Sequence, residues 1–109
     1  MQRLLSYLIA TSLVLLLPVV SNAGGHCTFA QQGPAQSYEA CEMPVDESAC
    51  TAIGEDPRNS DAEYGSGACP VDGVVGTCDK GASKLYYYSG VPEQLEVGCG
   101  FQGGTWINQ

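Results

Sequence analysis

Residues 84–107 read KLYYYSGVPEQLEVGCGFQGGTWI, and this stretch decides the fold. Three consecutive tyrosines make Lys84 to Ser89 a candidate strand, since aromatic side chains suit a pleated, half-buried surface. Pro92 suits the first turn of a helix, where its missing N–H would have had no partner in any case. Leu95 and Cys99, four apart, then share one helical face. Gly103 and Gly104 can end the helix. Thr105, Trp106 and Ile107 follow as a short closing strand, which can return beside the tyrosine strand.

Upstream the chain echoes this pattern. Glu47 and Glu96 stand three residues before Cys50 and Cys99, and Gly54 and Gly103 stand four after them. Tyr38 and Tyr87 precede the same cysteines by twelve residues, while Cys27 and Cys78 precede them by 23 and 21. Residues 27–54 and 78–107 therefore read as a pseudo-repeat. In the first half Tyr38 to Cys41 is the expected strand and Asp46 to Ile53 the helix, with Asp46 and Glu47 favourably placed at its positive end. Between the halves, Glu55 to Gly67 is acidic and rich in Pro, Gly, Asn and Ser, and reads as a surface loop. The expected fold is a small disulfide-rich α+β domain, loop-rich, with two short strand-helix-strand-like units.

Outside these units, Arg3 precedes an apolar run from Leu4 to Val20, broken by Pro18 and followed by the small residues Ser21 and Ala23. That is the layout of a secretory signal peptide over residues 1–23, with cleavage before Gly24. Residues 24–109 form the expected single domain, soluble and secreted or periplasmic, with no membrane span after processing. Twelve acids oppose four bases, a net charge of -8. Removing the leader takes away Arg3 alone among the charged residues. Eight acids between Glu39 and Glu63 face only Arg58, which argues against nucleic acid as a partner.

Leu, Ile, Val and Phe supply only 12 of the 86 residues from Gly24 onward. So few large apolar side chains cannot hold a domain together unaided. The six cysteines, Cys27, Cys41, Cys50, Cys69, Cys78 and Cys99, are the compensating feature, and an even count in a short exported chain reads as a disulfide framework. Zinc is a poor competitor, because no two cysteines are spaced by two residues and there is one histidine. If the halves are equivalent, Cys27 bonds Cys50, Cys78 bonds Cys99, and Cys41 is left for Cys69. If the echo is coincidence, the other pairings of six cysteines stay open.

Cys69 Pro70, Val75 Gly76 Thr77 Cys78, Tyr86 Tyr87 Tyr88, Cys99 and Gly103 Gly104 Thr105 Trp106 together resemble the tail of a group of small, exported, Cys-rich bacterial proteins. The resemblance covers about the last 40 residues, and the region before Cys41 departs from it. It implies export and a compact disulfide module, and lends no activity.

Two candidate sites follow from residue chemistry. After cleavage the chain begins Gly24, Gly25, His26, whose amine, two amides and imidazole can wrap a square-planar Cu(II) or Ni(II). Alternatively these glycines only open a linker. Tyr86, Tyr87 and Tyr88 alternate faces on a strand, so one or two rings point outward beside Trp106 and can dock a macromolecule or stack on a sugar; alternatively the rings are core. Asn59, Asp61 and Glu63 alternate like the opening of a calcium loop, but Tyr64 stands where Gly is required. No catalytic constellation is present: His26 is terminal and no Ser sits in a nucleophile turn. The sequence thus points to a non-enzymatic module binding an unknown macromolecule of the envelope or exterior. A metal-binding factor and a secreted inhibitor or toxin-like protein are the alternatives.

Overall fold

In the computed structural model, which describes residues 24–109, eight elements follow in the order β1 (Gly25–Gln32), β2 (Ser37–Val45), α1 (Glu47–Glu55), β3 (Asn59–Ser66), β4 (Gly76–Asp79), β5 (Lys84–Tyr87), α2 (Pro92–Phe101) and β6 (Thr105–Asn108). The leader expected at residues 1–23 lies outside the described residues. All six strands join one antiparallel sheet in the order β3-β1-β2-β5-β4-β6. Read from either edge toward the seam between β2 and β5, the order is the same: a late strand, then the two strands of a hairpin.

Both helices cover one face of this sheet, and the registers show why. Tyr64, Cys27, Glu42, Leu85, Cys78 and Trp106 form one row across all six strands. Within that row Cys27 bonds Cys50 of α1 and Cys78 bonds Cys99 of α2. Phe29, Tyr38, Ala40, Leu85, Tyr87 and Leu95 fill the space between. The neighbouring row on the opposite face runs Glu63, Thr28, Cys41, Tyr86, Thr77 and Ile107. There Cys41 bonds Cys69, completing the set to which the equivalence of the halves points.

Local chemistry places the helices. Asp46 caps α1, its Oδ1 accepting from the Ala49 N–H at 2.7 Å. At α2 no side chain caps the start, and Pro92 opens the first turn instead. Close approach explains two glycines. A Cβ on Gly104 would collide with both sulfurs of the Cys78–Cys99 bridge, and one on Gly76 would enter the indole of Trp106.

Three expectations are corrected. The α+β description fits only loosely, because the molecule is mostly antiparallel sheet with two short helices. The segment read as a loop, Glu55 to Gly67, ends α1 and then forms the eight-residue edge strand β3. Its charged side chains suit an edge, where they discourage pairing with foreign strands. The closing strand β6 pairs with β4 and not with the tyrosine strand, because β4 fills the place beside β5. Among the described residues no helix is long and apolar enough to cross a membrane.

Candidate functional site

The four aromatic residues singled out in the sequence do not share a surface. Tyr87 is buried in the core, with its hydroxyl donating to Oε1 of Gln31 at 2.7 Å. Trp106 is half-buried on the same face, its ring 6.1 Å from that of Tyr87. These two belong to the core under the helices, which corrects the picture of outward rings beside Trp106. Tyr86 and Tyr88 lie on the opposite face, both half-buried. Burial raises the phenol of Tyr87 above its ordinary range, and burial also raises that of Tyr88.

On the face away from the helices, residues 67–75 run from the edge strand β3 toward β4 as a strap. Three contacts pin it. Cys69 bonds Cys41, the Cys69 N–H donates to Sδ of Met43 at 3.1 Å, and the Tyr88 hydroxyl donates to the Pro70 carbonyl at 2.7 Å. Gly67 and Gly73 take positive φ of 81° and 80°, the left-handed conformation that lets the strap turn. A groove of about 570 Å³ opens beside it, with Thr28, Ala30 and Tyr88 along its base. Glu39, Asp61 and Asp72 rim this groove, and among the described residues no basic one lines it. A second, smaller groove on the same face includes Met43, Lys84 and Tyr86.

The amino-terminal triplet sits differently from a free tripeptide. Gly25 faces Val45 on one side and Ser66 on the other, so β1 is paired on both flanks from its first residue. Nδ1 of His26 lies 3.1 Å from the Gly67 carbonyl. The ring of Tyr64 packs over Gly25, leaving no room for a Cβ. Gly25 and His26 therefore belong to the sheet, so of the two glycines read as opening a linker Gly25 is a strand residue. Among the described residues no cluster of three His, Cys, Asp or Glu side chains could hold a metal ion.

No family model, curated protein or solved structure matches the chain. What the surface can do therefore rests on its own chemistry.

Sequence reasoning passed over one further group. Glu42, in the middle of β2, is buried at 6 % exposure and ion-pairs with Lys80 while accepting from Ser83 Oγ at 3.0 Å. Glu42 read as one more acid in an acidic stretch, because nothing local shows that its strand is central. Asn59, which lines the same cleft as Glu42, donates to the Ile53 carbonyl at 2.9 Å but leaves Oδ1 buried with no partner. At the mouth of the same region Arg58 and Asp56 pair at 3.0 Å, and the guanidinium holds that carboxyl below the usual carboxylate range.

Proposed function

We propose that the chain is an exported, non-enzymatic binding module that engages a macromolecule at or beyond the cell envelope through its strapped face. The observation that carries the reading is the pinned strap itself. A disulfide and two hydrogen bonds hold residues 67–75 over a sheet face whose fold is otherwise supported from the helix side. Such a fixed loop on a rigid scaffold offers a partner a preformed surface at little ordering cost. The acidic rim, with no base beside it among the described residues, favours a partner segment that carries positive charge.

Three disulfides suit an oxidising compartment. The shared element order of the two halves supports a diverged duplication as the origin of the scaffold.

The test is capture from envelope and medium fractions by the immobilised chain. Ala30→Arg places bulk and the wrong charge in the groove and should abolish capture. Phe101→Ser, on the outer side of α2, should leave it unchanged. Capture that survives Ala30→Arg but is lost in Phe101→Ser would move the interface to the helix face.

A further inference from the structure

Between the helices, on the face opposite the strap, a cleft of about 360 Å³ opens over β1, β2 and β5. Phe29 and Leu85 give it an apolar floor, and Ala52 of α1 stands on its wall. The Glu42 carboxylate enters this cleft. Its Oε1 takes the Lys80 ammonium and the Ser83 hydroxyl, and no further hydrogen bond to it forms among the described residues. Glu42 is among the residues that line the cleft, and its second oxygen, Oε2, is the acceptor left for a ligand there. Lys80, bound to Glu42 through one contact, retains donors of its own.

This pair is not what the fold requires. In the row that crosses the sheet, Glu42 and Leu85 flank the seam, each next to the cysteine that anchors its helix. Leucine meets the structural need on one side. On the other side the chain buries a carboxylate and supplies a lysine to compensate it. A buried ion pair adds little net stability over a well-packed apolar pair, because desolvation offsets the attraction. The arrangement leaves one carboxylate oxygen and the unused ammonium protons side by side over an apolar floor.

We propose that the cleft binds a free α-amino acid as a zwitterion. The ligand's ammonium group donates to Oε2 of Glu42, its carboxylate accepts from Lys80, and its side chain lies over Phe29 and Leu85. Charge balance selects this class. Glu42 is buried while Lys80 is partly exposed, so a lone anion that drew Lys80 away would leave the buried carboxylate uncompensated, and a lone cation would meet only one of the two groups. A zwitterion satisfies both at once. Arg58 adds no net charge at the mouth, since Asp56 already neutralises it. The cleft size falls within the range of ordinary small-ligand pockets. The site is remote from the strapped face, so it stands or fails independently of the reading above.

The experiment is calorimetric and NMR titration of the disulfide-bonded chain with glycine, leucine and phenylalanine, alongside N-acetyl-leucine and leucine amide. Leucine or phenylalanine should bind and shift the amides of Glu42 and Leu85. The two singly charged analogues should bind at least about tenfold more weakly. Glu42→Gln should weaken binding by a similar factor. Because that variant disturbs a buried pair, Ala52→Trp is the second variant: it fills the cleft from an exposed position on α1 and leaves both Glu42 and Lys80 in the sequence. It should abolish binding at unchanged thermal stability. The proposal is overturned if none of the three amino acids binds at millimolar concentration, if the analogues bind equally well, or if Ala52→Trp binds as the native chain does.

Discussion

Tyr38 and Tyr87, each twelve residues ahead of the cysteine that ties down its helix, meet edge to face at the seam of the sheet, ring centroids 6.4 Å apart and planes at 89°. The contact joins β2 to β5, the two strands through which the halves of the sheet pair. In a chain with so few large aliphatic residues, this aromatic pair is much of what closes the core across the seam, and such edge contacts add about 0.5 to 1.5 kcal/mol beyond burial.

The same burial sets an alkaline limit. Burial raises the Tyr87 phenol, Glu42 and Tyr38 add to the rise, and the Gln102 side chain opposes it; burial also raises Tyr88. In the unfolded chain both ionise at about 10. Stability contributed by these protonated phenols is thus complete below about pH 10 and is lost as pH rises through the higher folded values, since the unfolded chain gives up its protons first. Denaturant titrations across that range, with ultraviolet detection of tyrosinate, should show late-ionising tyrosines and falling stability. Tyr87→Phe should remove part of the alkaline loss, at a cost of about 1 kcal/mol near neutrality for the hydrogen bond to Gln31. A native protein whose tyrosines all titrate together near the ordinary phenol value would contradict the buried placement.

The three disulfides should differ in consequence although they close loops of similar length, 23, 28 and 21 residues. Chain entropy alone then predicts nearly equal effects, about 3 kcal/mol each. Packing separates them. Cys27, Cys50, Cys78 and Cys99 belong to the core under the helices, whereas Cys41 and Cys69 hold the strap on the other face. Replacing Cys78 and Cys99 together by Ala should cost more than replacing Cys41 and Cys69. Hydrogen exchange after the latter change should show a free strap over an intact sheet. Equal loss of amide protection across β4 and β5 in both double variants would count against this division. Full reduction should unfold the chain.

Much of this framework was legible because it is local. Asp46 announces α1 and Pro92 announces α2, and the tyrosine run marks β5. What escaped is set by partners distant in sequence. β1 begins with Gly25 and holds few large apolar residues, and only its flanks on β2 and β3 make it a strand. β3 reads as a loop because an edge strand is selected for polarity. Likewise Glu42 gives no sign of burial until β5 and Lys80 are beside it. The split of Tyr86, Tyr87 and Tyr88 between two faces follows from strand geometry, but which face is core depends on where the helices dock.

Capping should be improvable at one helix and not at the other. Asp46→Ala removes the bond to the Ala49 N–H and should cost about 1 kcal/mol. Val91 occupies the corresponding place at α2, extended and 44 % exposed, with no side-chain bond. Val91→Asp supplies both the missing acceptor and a negative charge at the positive helix end, and should stabilise by about 0.5 to 1 kcal/mol. Chemical denaturation of both variants measures the two signs. A destabilised Val91→Asp would show that the valine side chain contributes packing that the cap does not replace.

Copper binding by a chain beginning at Gly24 should be possible but weakened by the sheet. The square-planar complex requires the amine, two deprotonated amides and the imidazole around one ion. In the fold Gly25 stands in register with Val45 and Ser66, and His26 Nδ1 faces the Gly67 carbonyl. The first residues of β1 must therefore leave both flanking strands before the ion is wrapped. One Cu(II) per chain is expected, bound more weakly than by the isolated tripeptide, with loss of amide protection at Ser66 and Val45. Affinity should fall as pH drops, since every ligand must lose a proton. Cys27 does not compete, because it is held in its bridge to Cys50. Tyr64→Ala, which removes the ring over Gly25, should bring the affinity closer to that of the tripeptide, while His26→Ala should abolish the visible band. Binding as tight as the tripeptide's, with the β1 register undisturbed, would mean that the ion is held elsewhere on the chain.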